Sequence, residues 1–355
     1  MSEKEKVFSQ NLLDRCISCG YCLPVCPTYQ ITKDESSSPR GRINIMRAVQ
    51  KGELSIFESL EESSYCLGCR ACEVVCPAGV EYGHMLEEWR DAAWQGKNRP
   101  LIVKLLLFVS NNKFFVRILG LFNLRNYQKK KKSDDNLMLG CFERGLFPEV
   151  SKSTLQIFEE VSLNPNQGCC GALHAHNGEL ARGRELAKNL GEKLSGTIVT
   201  TSGGCAAHLS DVLGKDRVRE VSQYFYEKQM LEQLRPIFKN QKKVRLGLQD
   251  SCHLRNGLGI FKEPREILKR IGDYQEVPYA SECCGAAGSY SLVRPKDSKK
   301  VVEKKKEAIK KLDLDYLVTV NPGCQRQMAT NIKKGPKVIS IVELIAMSLN
   351  TKESS

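Results

Sequence analysis

The sequence lacks any apolar run that could cross a membrane. A spanning helix needs about 20 apolar residues, and no stretch here reaches about 18 without interruption. The first ten residues are charged and contain no apolar core, so they do not have the form of a secretory signal. These absences predict a cytoplasmic protein and leave open a peripheral position on the inner face of a membrane.

The sequence also lacks a complete dinucleotide-binding fingerprint. The nearest match, Gly257-x-Gly259, has Lys262 where the fingerprint needs its third glycine. The sequence contains neither a nucleic-acid motif nor a repeated pattern of aromatic and basic residues. It therefore predicts neither a bound dinucleotide nor a nucleic-acid partner.

Cysteine, by contrast, is abundant, with 16 residues at spacings typical of metal ligands. Eight of them form two runs with the same pattern, C-x2-C-x2-C-x3-C-P. In bacterial ferredoxins this pattern places three cysteines on one iron–sulfur cluster and the fourth on the other cluster. The two runs are Cys16, Cys19, Cys22 and Cys26 before Pro27, and Cys66, Cys69, Cys72 and Cys76 before Pro77.

After the third cysteine of each run, the spacer and the proline turn the chain away, so the fourth thiolate cannot reach the same cluster. Each cluster would therefore take three cysteines from one run and the fourth from the other run. We predict two [4Fe-4S] clusters, on Cys16, Cys19, Cys22 and Cys76, and on Cys26, Cys66, Cys69 and Cys72. Structural zinc is the alternative, and it fits less well because zinc sites pair C-x2-C units across a longer gap. Thiolate ligands need a reducing compartment, in agreement with a cytoplasmic location.

The chain has an excess of positive charge. Its 54 Lys and Arg residues outnumber its 41 Asp and Glu residues, which gives a formal net charge of +13. Eight ligating thiolates and two oxidised cluster cores would add about −4 and leave roughly +9. This excess suits an acidic partner subunit or an anionic membrane surface. A solvated basic face explains it as well.

The region around the two runs predicts helices. Residues 1–15 predict a short polar helix before the first run. The 39-residue insert between the runs contains Ser-Ser-Ser-Pro-Arg-Gly-Arg at 36–42, which predicts a turn into a helix. Arg40 and Arg42 could bind a partner or an anionic group, or simply be exposed at the helix start. The apolar residues that would share one face of this helix are Ile43, Met46 and Val49.

Two further helices are predicted, at Leu54–Leu60 and at Tyr82–Trp94. The second has an apolar face, most simply a core face, formed by Met85, Leu86, Trp89 and Ala93. We therefore predict an α-helical di-cluster ferredoxin domain at residues 1–100. Residues 101–132 predict a linker of amphipathic helical pieces that ends in the solvated run Lys129–Lys132. Such a basic amphipathic segment either packs on the ferredoxin domain or lies on a membrane surface.

The C-terminal two thirds of the chain contain an internal repeat. Short apolar runs alternate with helical stretches, which is typical of α/β units, and four cysteines recur in the order C…CCG…C. Matched cysteines are offset by 111, 114 and 119 residues. We predict two cysteine-rich α/β units, at 133–235 and 243–345, with the cysteines gathered at the carboxyl ends of a small parallel sheet in each unit.

Each unit therefore offers four candidate ligands for a further iron–sulfur cluster or a zinc ion, or simply four free thiols. The sets are Cys141, Cys169, Cys170 and Cys205, and Cys252, Cys283, Cys284 and Cys324. His208 could add an imidazole ligand. An ordinary hydrogen-bonded histidine is the simpler interpretation for His208 and also for His174, His176 and His253.

Four features carry a resemblance to a known family: the two cysteine runs, the Cys-Pro-Thr-Tyr-Gln stretch at 26–30, the Pro-Arg-Gly-Arg-Ile stretch at 39–43 and the paired CCG units. Together they make the chain resemble the glycolate oxidase iron–sulfur subunit over roughly residues 11–345. The same layout occurs in heterodisulfide reductase-type subunits, thiol:fumarate reductase, and related glycerol-3-phosphate and lactate dehydrogenase iron–sulfur subunits. The resemblance implies an oxidoreductase subunit without catalytic residues of its own. It would pass electrons from an FAD-binding 2-hydroxy acid dehydrogenase partner toward a quinone-type acceptor.

The sequence departs from one branch of these relatives. Disulfide-reducing members extend the last cysteine of each CCG unit to C-x2-C, whereas His208 and Gln327 occupy those positions here. This difference argues against five-cysteine clusters and against disulfide reduction. A disulfide reductase and a zinc-bound docking module nevertheless remain the rival hypotheses.

Overall fold

The computed structural model describes residues 7–111, 133–164 and 166–351. The predicted linker segment 112–132, with Lys129–Lys132, lies outside these residues. The first part of the chain is helical, and its helices are α1 (Gln10–Asp14), α2 (Pro27–Thr32), α3 (Pro39–Lys51), α4 (Leu60–Tyr65), α5 (Ala71–Val74), α6 (Tyr82–Ala93) and α7 (Leu101–Asn111). Within the described residues, no helix is long and apolar enough to span a membrane.

Helices α3 and α6 form the centre of the helical region, as their apolar spacing predicts. The predicted face of α3 is buried, and Trp89 and Met85 of α6 are completely buried against it. The prediction of a helix at Leu54–Leu60 is wrong in detail. A 3₁₀ turn occupies Ile56–Ser59, and α4 begins at Leu60. Ser59 lies at the junction of the turn and the helix and has non-helical backbone angles, and its hydroxyl accepts a hydrogen bond from the Trp89 indole at 2.8 Å.

The rest of the chain forms two parallel four-stranded sheets. The first sheet has the order β2-β1-β3-β4 and contains β1 (Asn136–Met138), β2 (Ser162–Leu163), β3 (Ile198–Thr200) and β4 (Val218–Glu220). The second has the order β10-β9-β7-β8 and contains β7 (Arg245–Gln249), β8 (Asp273–Tyr274), β9 (Tyr316–Thr319) and β10 (Lys337–Ser340). If the strands of each unit are numbered from 1 to 4 along the chain, both sheets have the order 2-1-3-4. The sequence repeat is therefore also a structural repeat.

Helices cover the sheets as expected for α/β units. A short hairpin of β5 (Phe238–Lys239) and β6 (Lys242–Lys243) separates the units. The helices of the first unit are α8 (Cys141–Leu146), α9 (Pro148–Ile157), α10 (Ala172–Ala175), α11 (Leu180–Lys193), α12 (Gly203–Leu213) and α13 (Val221–Glu227). Those of the second are α14 (Lys262–Ile271), α15 (Tyr290–Val293), α16 (Pro295–Lys310), α17 (Pro322–Asn331) and α18 (Ile341–Leu349), after a π-helical turn at His253–Gly257.

The two units share one hydrophobic core. Leu137 and Val199 of the first sheet belong to the same buried cluster as Leu246 and Val318 of the second. Helix α18, at the end of the second unit, packs on α9 of the first. This shared core fixes the two sheets relative to each other and so fixes the distance between the cysteine sets that they carry.

Candidate metal centres

The first ligand set lines a cavity at the edge of the helical region. Cys16, Cys19, Cys22 and Cys76 all contribute to its wall. Cys19 is exposed, and the two large apolar side chains beside it, Ile17 and Tyr21, are 69% and 68% exposed. This cavity therefore opens directly onto the molecular surface.

The second ligand set lines a neighbouring, buried cavity. Cys26, Cys66, Cys69 and Cys72 share its wall, and Cys72 also reaches the first cavity. Burial raises the pKa of the Cys69 and Cys72 thiols well above the usual value, so a positive centre is needed before they ionise and ligate. The structure thus brings together the members of each predicted set around its own cavity.

The insert between the runs builds one wall of the second cavity. Ser38 caps α3 by accepting a hydrogen bond from the Gly41 amide at 2.9 Å, and Pro39 occupies the first helical turn. Gly41 is required because a Cβ atom there would lie 1.9 Å from the Glu35 carbonyl oxygen. This close approach turns the next residue, Arg42, toward the cysteines.

Arg42 is not exposed at the helix start, as its position suggested, but completely buried. Its Nη1 donates to the Thr28 hydroxyl at 3.1 Å, whereas its Nε and Nη2 have no partner within the described chain. A buried charge with unused donors costs several kcal/mol unless an anion compensates it. A [4Fe-4S] cluster on four thiolates carries a net negative charge and acceptor sulfurs. The residues of this site therefore fit the cluster that the sequence predicts.

The cysteines of the first cysteine-rich unit meet at the carboxyl edge of its sheet. Cys141 follows β1 and Cys205 follows β3, at the point where the strand order changes direction and open sheets build their sites. The Sγ atoms of Cys141 and Cys169 are 3.9 Å apart, and those of Cys170 and Cys205 are 3.1 Å apart. The nearby guanidinium of Arg144 is buried, and its Nε and Nη2 have no partner among the described residues.

The second unit repeats this arrangement. Cys252 follows β7, Cys324 follows β9, and the Sγ atoms of Cys284 and Cys324 are 3.2 Å apart. Lys305, which is 1% exposed, supplies the cation, and its ammonium donates to the Gln249 side chain and the Glu282 carbonyl. Burial lowers the pKa of Lys305, while the three neighbouring cysteines act against that effect.

The second ferredoxin run and the second cysteine-rich unit are in direct contact. Cys69, Cys252 and Cys283 belong to one buried cluster, and the Asn256 amide donates to the Cys69 carbonyl at 2.8 Å. The Arg90 guanidinium joins the same run to the first unit by donating to the Cys66 and His176 carbonyls. All three parts of the molecule therefore meet around this run.

His208 and Gln327, at the positions where disulfide-reducing relatives have a further cysteine, both form internal hydrogen bonds. His208 is buried, and its Nε2 lies 3.2 Å from the Gly183 carbonyl. Gln327 is also buried and donates to the Ser298 hydroxyl at 2.8 Å. Neither side chain is available to complete a five-ligand set as the structure places them.

The other histidines also have protein partners. His174 contacts Ser110 and Glu179, and His176 contacts Glu87 at 2.8 Å. Burial alone would raise the pKa of Glu87, but the hydrogen bond from His176 and the nearby histidines lower it to about 2. In the part of the chain that the structure describes, no three His, Cys, Asp or Glu side chains are placed to hold a single metal ion.

Sequence reasoning missed the buried cations beside the cysteine sets. Lys305 has no motif that marks it, because only the packing of α16 brings it to the thiols. Arg144 lies three residues after Cys141 on α8, so helical spacing could have revealed it. The signal that could have revealed Arg42 was the glycine before it, since glycine inside a helix start often marks close backbone approach.

Comparison with protein families agrees with this division of the chain. A model described as a 4Fe-4S dicluster domain matches residues 12–80, and one described as a cysteine-rich domain matches residues 136–210 and 246–329. Together they cover both ferredoxin runs and both cysteine-rich units.

Several named proteins are similar over nearly the whole chain. The "Probable glycolate oxidase iron-sulfur subunit" of Bacillus subtilis is 33% identical, with 93% of this chain and 91% of the relative aligned. The "Glycolate oxidase iron-sulfur subunit" of Escherichia coli is 28% identical, with 91% of each chain aligned. A subunit of the fumarate reductase (CoM/CoB) of Methanothermobacter marburgensis is 26% identical over 94% of this chain and 72% of the relative.

Proposed function

Because the chain belongs to the glycolate oxidase iron–sulfur subunit family, we propose that it carries electrons for an FAD-linked 2-hydroxy acid dehydrogenase. Glycolate is the substrate best supported, since two similar proteins carry that name. The partner chain binds flavin and substrate, because this chain has no dinucleotide fingerprint. Oxidation of a hydroxy acid removes two electrons, and this chain passes them on singly.

One observation carries this proposal: two adjacent cavities, each lined by the four cysteines of one predicted ligand set. Two [4Fe-4S] clusters bound there would supply one-electron carriers close enough to share the wall residue Cys72. Cys16, Cys19, Cys22 and Cys76 would hold the outer cluster. Cys26, Cys66, Cys69 and Cys72 would hold the inner one. The helical insert forms one wall of the inner site and places Arg42 against it.

We further propose that both CCG sets bind metal. Each set places four cysteines at a sheet's switch point, and each has a buried cation nearby, Arg144 or Lys305. Buried cations beside thiols favour the thiolate, which is the ligating form. Four thiolates in each set suit either an iron–sulfur cluster or a zinc ion, and metal analysis decides between them.

The exposed surface at the outer cluster site and the net positive charge of the chain support further proposals about its partners. The outer cluster site opens at the exposed Cys19, Ile17 and Tyr21, where a redox partner can approach closely. The basic excess of the chain suits an acidic partner or an anionic membrane surface. We propose a quinone-type acceptor and a cytoplasmic location with a peripheral contact to the inner face of the membrane.

Anaerobic purification followed by iron analysis tests the proposal. Two clusters predict about eight irons per chain, with more if the CCG sets also bind clusters. Reduction with dithionite should produce paramagnetic resonance signals. Addition of the flavoprotein partner and glycolate should reduce the clusters, whereas glycolate without the partner should not. An iron-free chain, or glycolate oxidation by this chain alone, would overturn the proposal.

A thiol:fumarate or heterodisulfide reductase-like subunit is the second candidate, because the fumarate reductase subunit of Methanothermobacter marburgensis aligns with 94% of this chain. The internal hydrogen bonds of His208 and Gln327 argue against it. Disulfide reduction by the isolated, reduced chain would favour this candidate over the first. A zinc-bound docking module would instead show zinc in the CCG units and iron only in the helical domain.

A further inference from the structure

Two side chains on the wall of the inner cavity have hydrogen-bond donors that nothing in the described chain accepts. They are Arg42, with Nε and Nη2, and Tyr82, with its hydroxyl. Both residues line the cavity of Cys26, Cys66, Cys69 and Cys72. Tyr82 also lines the outer cavity, but the cysteines that affect its hydroxyl, Cys66 and Cys72, both belong to the inner set. Arg42 is completely buried and Tyr82 is 3% exposed, so water cannot easily serve as the missing acceptor.

Carboxylates do not compensate the charge of Arg42. None forms an ion pair with it among the described residues, and the Glu62 carboxyl, which does affect it, has its own pKa raised by burial. The remaining contacts of Arg42 are the Thr28 hydroxyl and the face of the Tyr65 ring, 5.9 Å from the guanidinium carbon. Thr28 in turn touches the Cys26 sulfur at 3.2 Å.

Apart from Tyr82, which lines both cavities, the outer cavity has no equivalent donor among the described residues. Its nearby arginine, Arg40, forms a hydrogen-bonded ion pair with Glu35 at 2.7 Å and donates to the Ser18 carbonyl at 3.2 Å. The side chain of Arg40 is 28% exposed, so water further reduces its effect. One cavity therefore faces a full buried charge with two free donors, and the other faces a neutralised pair near solvent.

We propose that Arg42 and Tyr82 donate hydrogen bonds to the sulfur atoms of the inner cluster and thereby hold its reduction potential above that of the outer cluster. Reduction adds one negative charge to a cluster, and a buried cation with donors to its sulfurs stabilises the reduced form more than the oxidised form. The inner cluster is then reduced before the outer cluster. This inference rests on the proposed function in one respect, because it requires clusters at both sites.

The test is a redox titration of the anaerobic chain, followed by paramagnetic resonance. Tyr82→Phe removes the hydroxyl and keeps the buried ring, and Arg42→Met removes the charge and the donors. We expect the higher of the two ferredoxin-cluster potentials to fall in both variants, and to fall further in Arg42→Met. Arg42→Lys, which keeps the charge but loses the fork of donors, should give an intermediate shift.

The matched control is Tyr224→Phe. The Tyr224 hydroxyl is also held in the interior, where it donates to Asp135 at 2.8 Å, but no cysteine affects it. Both cluster potentials should remain unchanged in this variant. If Arg42→Met fails to retain its inner cluster, Tyr82→Phe decides the question, since it leaves the packing intact.

The possible failures can be told apart. A chain with both clusters whose potentials do not move in Tyr82→Phe and Arg42→Lys would overturn this inference and leave the proposed function standing. A shift confined to the lower potential would overturn it as well, because the donors would then act on the other cluster. A wild-type chain without iron would instead remove the proposed function itself.

Discussion

Gly171, directly after the Cys169–Cys170 pair, shows how closely the backbone packs around a cysteine set. It has a φ of +86°, and a Cβ atom there would lie 2.0 Å from the Gly183 carbonyl oxygen. Helix α11, which carries Gly183, thus presses directly on the turn that presents the cysteines. No other residue type can take this conformation and this space at once.

We expect Gly171→Ala to destabilise the chain more than Gly214→Ala does. Gly214 has a similar φ of +94° but no atom within 4 Å of the added Cβ, so its substitution adds only backbone strain of about 1–3 kcal/mol. Gly171→Ala adds a clash with backbone to that strain. The midpoint of anaerobic thermal unfolding, compared between the two variants, measures the difference. Equal midpoints would show that α11 moves to accommodate the added methyl group.

Glu220 makes a separate prediction about pH. It is completely buried at the end of β4, and burial raises its pKa to about 7, although hydrogen bonds from Ser222 act in the opposite direction. The folded chain therefore holds this proton up to a higher pH than the unfolded chain does. The contribution of Glu220 to stability should be greatest below the unfolded pKa of about 4.3 and fall as pH rises toward 7.

Glu220→Gln should remove this part of the pH dependence. Linkage gives the neutral variant an advantage of up to about 4 kcal/mol above pH 7. Unfolding midpoints of both proteins at several pH values between 5 and 8 measure it. If the two curves stay parallel over this range, Glu220 is ionised in the folded chain and the prediction is wrong.

At the scale of elements, the sequence placed helices well and their ends less well. The buried faces of α3 and α6 are those that the apolar spacing predicts, because period and burial are properties of the segment itself. The helix expected at Leu54–Leu60 starts at Leu60 instead, after a 3₁₀ turn. Ser59, the residue before this start, contacts Trp89 thirty residues away in the chain, and no local pattern contains that contact.

The start of α3 is the element on which the inner cavity depends most. Ser38→Ala should destabilise the chain by about 1 kcal/mol, because the Gly41 amide loses its cap. Ser36→Ala is the control, since the Ser36 hydroxyl caps no helix. Thermal unfolding of the anaerobic proteins gives the comparison. A loss as large in the control would mean that the segment, and not the cap, determines stability here.

At the scale of the whole molecule, three parts are joined around the inner cavity. Arg90 joins the second ferredoxin run to the first cysteine-rich unit, and Asn256 joins that run to the second unit. Asn321 of the second unit accepts hydrogen bonds from Ser202 and Gly204 of the first. Loss of the inner cluster should therefore affect the stability of the complete chain and not only of its first domain.

Cluster removal provides the corresponding prediction. The chain without clusters should unfold at a lower temperature, because the Arg42 charge then lacks its compensating anion in the interior. Arg42→Met should lower the midpoint of the cluster-bound chain but narrow the difference between the bound and cluster-free forms. Calorimetry on all four samples measures this coupling. An unchanged difference would mean that the cluster and Arg42 do not interact.

The fold class and the candidate ligands follow from the sequence. Cysteine spacing and its repetition are local properties, so they indicated a helical di-cluster domain, two α/β units and the 16 cysteines without any knowledge of packing. Which charges face these cysteines, and which sets adjoin each other, depends on the folded chain. Arg42 and Lys305 come to the thiols only through the packing of distant helices, whereas Arg144 lies on the same helix as Cys141. These electrostatic effects depend on the distances between charged side chains and cysteines in the folded chain. The spacing of residues along the sequence does not give those distances.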